Sequence, residues 1–457
     1  MLNMKVDLLK GNIFKSLIIF AIPLFISNLF QQLYNTVDIM IVGNFLGDTS
    51  LAAIGACSSI YELLVGFALG IGNGLSIVAA RSYGSNDEKL LKKSVSGSIV
   101  IGIFVTVIIM IISVVFLMPL LKLLNTPSNI IDEAYSYIST ITLFVGVMFA
   151  YNLCAGLLRA IGNSFMPLVF LIISSILNII LDIVFITQFN MGIKGAAVAT
   201  IIAQGISVIL CVVYIYFKSK ILIPRRSSFN VGKKLYKELI GQGLSMGLMM
   251  FIVSTGTVIL QTAINGLGYL TIAGHTAARK LNSFCALPTI TMSLSLSTFV
   301  SQNKGADQGY RIRKSLWYCN LISIVWGCII SIVLLFFAPM LVRILSGSNE
   351  ELVIEIGAKY LILNAPFYTV LGVLLNLRNS LQGLGEKVLP LVSSIIEFIG
   401  KILFVIFIIP KTGYLGVIIC EPIIWCAMCA QLIYVFYNHP YIKAHKNNKK
   451  ISLVQND

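Results

Sequence analysis

Three observations on this sequence predict an all-α polytopic membrane protein, with twelve transmembrane helices in two pseudo-symmetric six-helix bundles. The chain is 57% apolar and only 11% charged, with a mean hydropathy of +0.92, far from soluble domains, in which about 25% of residues are charged. Apolar stretches of the roughly 20 residues needed to cross a bilayer recur twelve times. The second six of these repeat the first six in register.

The spans fall at residues 15–45, 50–80, 94–121, 131–160, 164–188, 192–217, 238–265, 270–300, 315–342, 356–382, 388–410 and 414–438. Several exceed the minimum and must tilt, bend or project into water. The residues before the first span carry neither the short apolar core nor the small-residue cleavage site of a removable signal, so that span is read as retained.

The repeat is visible without gaps. Phe45-Leu-Gly-Asp-Thr-Ser-Leu-Ala-Ala lies over Gly266-Leu-Gly-Tyr-Leu-Thr-Ile-Ala-Gly at a shift of 221, and the register holds through Gly84 on Gly305 to Lys93-Ser94 on Lys314-Ser315. Further on, Pro119 pairs with Pro339, Pro167 with Pro390 and Gly195 with Gly416. This gives an N-terminal bundle at 1–217, a cytoplasmic linker at 218–237, a C-terminal bundle at 238–438 and a basic cytoplasmic tail at 439–457. Because six is even, the halves enter from the same side as parallel repeats. Transporters built this way bind near the midplane and alternate access around the site.

The formal charge of +15 reads as topology rather than nucleic-acid binding. Of 33 Lys and Arg, 25 fall at the N-terminus, in connections after even-numbered helices (Arg378 and Lys387 among them) and in the tail. By the positive-inside rule both termini are cytoplasmic, in the cell membrane, and the basic surface faces anionic lipid. The nine cysteines all lie in apolar segments, where a thiol behaves as a small hydrophobe. Cys426-Ala-Met-Cys429 has redox spacing but no βαβ context. Three histidines without metal-ligand spacing, and no Walker loop, leave no catalytic constellation, no metal site other than one for sodium, and no cofactor. The chain reads as a transporter driven by an ion gradient rather than an enzyme.

Polar residues at membrane depth mark the site. An Asp near the centre of a membrane helix costs roughly 2.5–3.5 kcal/mol on insertion scales, so Asp38 in the first span is read as functional. Asn178 and Asp182, four apart, stack on one face of the fifth. Met246, Met249 and Met250 in the seventh form an adaptable apolar cluster of the kind promiscuous sites use. Glu62, His275, Arg279, Lys280, Glu397, Lys401 and Glu421 are further polar groups at depth, read as structural. His275 and Arg279 share a face, Glu421 is an acid within their choice of partners, and Glu397 and Lys401 have the favourable i, i+4 order for an ion pair. Pro23, Pro288 and Pro366 are expected to interrupt the first, eighth and tenth helices.

The chain resembles the multidrug and toxic compound extrusion (MATE) family over essentially its whole length. The likeness rests on Pro23, Gln31, Tyr34 and the Val37-Asp38-Ile-Met-Ile-Val-Gly-Asn-Phe-Leu-Gly47 run, on Ala79-Ala-Arg-Ser-Tyr-Gly84, on Leu177-Asn-Ile-Ile-Leu-Asp182 and on Gly195-Ala-Ala-Val-Ala-Thr200. It implies a V-shaped pair of bundles and cation-coupled efflux. It also implies an N-terminal cation or proton site of Asp38, Asn178, Asp182 and Thr200, with Gln31 and Tyr34 on the substrate path. That all-oxygen set suits sodium. Equally, two carboxylates crowded in a poorly solvated pocket cannot both ionise cheaply, so the pair can carry a proton.

The expected function is therefore sodium- or proton-coupled antiport of amphipathic, often cationic small molecules by a monomer whose partners are its substrates and membrane lipid, not nucleic acid. A lipid or lipid-linked saccharide flippase of the same superfamily, marked by a strongly basic cavity, and a non-transporting receptor or structural protein are the alternatives.

Overall fold

Helices follow one another almost without interruption, as expected of a chain whose backbone groups must be satisfied within lipid. The computed structural model describes residues 5–124, 126–347 and 350–445; residues 446–457 of the basic tail lie outside the described residues. Eleven helices among the described residues are long and apolar enough to span a membrane, and a bent pair makes a twelfth. In the first half these are α1 (Ile13–Leu46), α2 (Asp48–Gly84), α3 (Glu88–Leu123), the bent pair α4 (Ile131–Leu143) and α5 (Val145–Ala160), α6 (Phe165–Ile183) and α7 (Ile193–Lys218). The second half holds α8 (Lys233–Asn265), α9 (Tyr269–Gly305), α10 (Gly309–Ser346), α11 (Glu351–Asn364) with α12 (Tyr368–Leu384), α13 (Val388–Leu403), the short α14 (Ile409–Thr412) and α15 (Tyr414–Asn438), with α16 (Pro440–Ala444) after them.

The chain divides into two compact units. One holds Ile18–Phe251, and the other takes most of the chain from Ile252 together with Asn12–Leu17. In the first unit α2 is central, with 67% of its most apolar window buried, while only 17% of the α3 window is. Ile103, Phe104, Ile111 and Val114 of α3 face outward, as lipid-contacting residues do. The second unit repeats this, with α9 at 61% and α10 at 22%. Position within the repeat, not hydropathy, thus decides which helix is buried: α3 and α10 are the more apolar members yet the more exposed.

Small residues let backbones approach within the first unit. Gly70 and Gly74 of α2 face Gly243 and Gly247 of α8, so that a Cβ on Gly74 would lie 2.5 Å from the Gln242 carbonyl oxygen. Two small-xxx-small stripes therefore pack on each other, where contact and not hydrophobicity drives association. At the end of the same helix pair, Arg81 donates to Glu238. The linker also packs: Leu222 and Val231 are buried, with Leu222 in a cluster that includes Leu91, Val95 and Leu239.

The duplication extends to backbone geometry. Gly47 (φ +84°) and Gly268 (φ +95°), which open α2 and α9, are repeat mates, as are Asn86 (φ 57°) and Asp307 (φ 56°) in the following turns. Gly47 and Gly268 are needed there because positive φ is costly for residues with a Cβ.

Three local readings change. The fourth span is broken at Phe144 by 47°. No proline accounts for this; the hydroxyls of Ser139, Thr140 and Thr142 return to carbonyls of their own helix just before the break, a pattern that bends helices. Conversely, α1 and α9 run on through Pro23 and Pro288, and Ser27 Oγ donates to the Pro23 carbonyl. Only Pro366 sits at an interruption, in the 3-10 turn Ala365–Phe367.

Candidate functional site

Asp38 comes from the last third of α1, Asn178 and Asp182 from one face of α6, and Thr200 from α7. An apolar cluster of Ile41, Val42, Ile186 and Ala196, with Val37 and Ile179 against it, joins the same segments beside them. Asp182 is 0% exposed, Asn178 2%, Thr200 7% and Asp38 9%. Asp38 and Asp182 are close enough for their charges to act on each other, and Asn178 Nδ2 donates to Thr200 Oγ1 at 3.5 Å. Immediately beyond Asp182 the helix widens into a π turn, Val184–Gln188, an irregularity frequent at functional sites.

What distinguishes this group is its unused acceptors. Asp38 Oδ1, Asn178 Oδ1 and both carboxylate oxygens of Asp182 are buried with no hydrogen-bond donor among the described residues. Neither acid has a basic partner there. Buried carboxylates are ordinarily paired or neutralised, so four buried oxygens of this kind fit a small hard cation or a shared proton.

The site adjoins two cavities of the first unit. A cavity of about 350 Å³ is lined by Tyr34, Asp38 and Thr200 of the site region and by Cys57, Tyr61 and Glu62 of α2. Its full lining, which adds Tyr137 of α4 and Met148 of α5, contains two carboxylates and no basic residue. A second, of about 30 Å³, has Gln31, Ser175, Asn178 and Gln204 in its wall. Tyr34, Tyr61, Met148 and Thr200 line both.

The second unit holds charge differently. Arg279 Nη1 lies 2.8 Å from both oxygens of Glu421, and the Tyr360 hydroxyl donates to Glu421 Oε2 at 3.0 Å. Lys401 Nζ lies 3.0 Å from Glu397 Oε1 and 4.0 Å from Glu421 Oε1. Arg378, counted above in a cytoplasmic connection, lies instead inside α12, 7% exposed. Its Nη2 is 3.8 Å from Glu397 Oε2, and its Nε donates to Ser393 at 3.0 Å. The error arose because Arg378 stands only seven residues before Gly385, where α12 ends; its partner lies in the next helix, and nothing local announces it. The result is an alternating chain, Arg279, Glu421, Lys401, Glu397, Arg378, across four helices. His275 is buried, its Nδ1 3.1 Å from the Tyr414 hydroxyl and its ring against Tyr360.

Two members of this chain stand at repeat positions of the first unit's site. At the shift that pairs Pro167 with Pro390, Asn178 falls on Lys401; at the shift that pairs Gly195 with Gly416, Thr200 falls on Glu421. The Asn178–Thr200 contact of one unit is a lysine–glutamate contact in the other.

The remaining sequence candidates separate. Met246 and Met249 are buried in α8 and Met250 is exposed, and none lines either cavity. Lys280 is exposed on α9. Glu62, read from the sequence as structural, lines the larger cavity. Its signal was the spacing of Ile54, Cys57, Ser58, Tyr61 and Glu62, which puts all five on one face of α2.

Residues 23–184 and 246–407 each match the MatE family model. The chain is 27% identical over 406 residues to the probable multidrug resistance protein YpnP of Bacillus subtilis (strain 168), covering 86% of this chain and 87% of that one. It is 25% identical over 443 residues to the multidrug export protein MepA of Staphylococcus saprophyticus, covering 93% and 94%. Its fold matches the crystal structure of MATE in the bent conformation with a TM-score of 0.88, at 21% identity, over 97% of this chain and 99% of the other.

Proposed function

Because the chain belongs to the MATE family of multidrug efflux transporters, we propose that it is a secondary antiporter that exports amphipathic organic cations in exchange for a sodium ion or a proton. The observation that carries this reading is the set of four buried, donorless oxygens of Asp38, Asn178 and Asp182 beside a cavity lined by acids and no base.

The ion is cargo, held by Asp38, Asn178, Asp182 and Thr200. With the site empty of cations, the Asp38–Asp182 pair keeps negative charge next to the cavity and a passenger cation is retained. When sodium binds or a proton is shared between the carboxylates, that charge is cancelled and the passenger loses its counter-charge. The two ligands then oppose each other reciprocally, by about 1–3 kcal/mol in a typical coupled system. A cavity without basic lining residues suits this passenger better than the anionic headgroup of a lipid-linked saccharide. The distribution of Lys and Arg supports cytoplasmic termini, and one chain carries all the proposed site residues, which supports a functional monomer.

The test is dye efflux from proteoliposomes with the sodium and pH gradients imposed separately. Efflux driven by one gradient and abolished when it is collapsed is expected; efflux indifferent to both would overturn the reading.

A further inference from the structure

Glu62 carries a role that the ion site does not account for. It is exposed, on the α2 face that lines the 350 Å³ cavity, whereas Asp38, the other acid of that lining, is 9% exposed with an oxygen lacking any donor. The two carboxylates therefore differ in kind. A carboxylate buried against a second one answers to a bound ion, whereas an exposed one on the cavity wall stays within reach of a passenger. Three tyrosine rings, Tyr34 of α1, Tyr61 of α2 and Tyr137 of α4, line the same space. A carboxylate among aromatic walls recognises a planar cation by charge and by ring face together.

We propose that Glu62 receives the positive charge of the passenger, and that the cavity of α1, α2 and α4 is a site for planar aromatic monocations. This rests on the antiport reading and deepens it. The Asp38–Asp182 pair exchanges its charge with the coupling ion, while Glu62, outside that pair, sets the preference for cations over uncharged molecules. Because Glu62 is not among the ion's ligands, its contribution adds to that of the pair instead of multiplying through it.

The test is equilibrium fluorescence binding of ethidium, a planar monocation, and of uncharged N-phenylnaphthylamine to the full chain in nanodiscs, each with and without sodium and at two pH values. Wild type is expected to bind ethidium and to release it when the coupling ion is added. Glu62→Gln should weaken ethidium about tenfold, leave N-phenylnaphthylamine unchanged, and keep the wild-type ratio of ethidium affinities with and without the ion. Glu62→Asp, which keeps the charge, should recover part of the loss, and it carries the test should the glutamine variant not fold.

Wild type that binds no ethidium, Glu62→Gln with wild-type ethidium affinity, equal loss of both probes, or collapse of the ion-dependent ratio would each overturn the assignment. Asp38→Asn separates the two ideas. If ion-dependent release survives in that variant while Glu62→Gln loses ethidium, the coupling mechanism fails and the role of Glu62 stands.

Discussion

In the first unit Asp38 and Asp182 are buried beside each other with no basic residue to hold them among the described residues, whereas in the second Glu397 and Glu421 are each met by two cations. The contrast reaches the level of repeat positions, where Asn178 and Thr200 are replaced by Lys401 and Glu421. A carboxylate with fixed counter-charges has nothing to exchange; one without them needs a mobile charge. Duplication thus supplied two similar frameworks, and, under the proposed antiport, a few substitutions decide which one answers to an ion gradient.

The sharpest way to break this comparison is to neutralise one acid in each unit. Asp182→Asn should abolish ion-dependent release, reducing a ratio expected at about 5- to 150-fold to about one. Its thermal stability should be no lower than wild type, because the amide removes a buried charge that nothing compensates. Glu421→Gln should do the reverse. It strands Arg279 and weakens the hold on Lys401, destabilising the second unit by about 3–5 kcal/mol, while ion-dependent release stays at the wild-type ratio. Thermal unfolding and ligand titration on the same preparations check both, and a Glu421→Gln protein that lost its ion response would dissolve the distinction between the units.

Smaller effects refine it. Gly74→Ala forces a methyl group against the Gln242 carbonyl in the first unit and should destabilise by about 1–3 kcal/mol, with the deficit visible in thermal unfolding. Thr200→Val removes one oxygen of the proposed four-residue ion site and should weaken the ion less than tenfold, about 1 kcal/mol, in a sodium or proton titration. Met249→Leu should change stability by less than about 1.5 kcal/mol and leave ethidium binding untouched, since Met249 is buried outside both cavities.

Residues whose meaning is local or periodic were readable before any coordinates. The spans, the duplication, the i, i+4 spacing of Asn178 with Asp182 and of Glu397 with Lys401 all follow from hydropathy and helix geometry. What remained hidden depends on partners distant in the chain. Arg378 gives no sign that Glu397 neutralises it, and Glu62 looks like any costly acid until α1 and α4 close a cavity over its face of α2. The break at Phe144 was hidden for another reason: the run Ser139, Thr140, Thr142 bends a helix by hydroxyl bonds that hydropathy does not register. The Gly70-Gly74 and Gly243-Gly247 stripes were not singled out in the sequence, because only the fold shows that they meet.

The account stands most directly on gradient-driven dye efflux by Asp38→Asn in proteoliposomes, with the sodium and pH gradients imposed in turn. It predicts that neither gradient drives efflux through this variant although the protein remains folded. Efflux at the wild-type rate under the gradient that drives the wild type would contradict it.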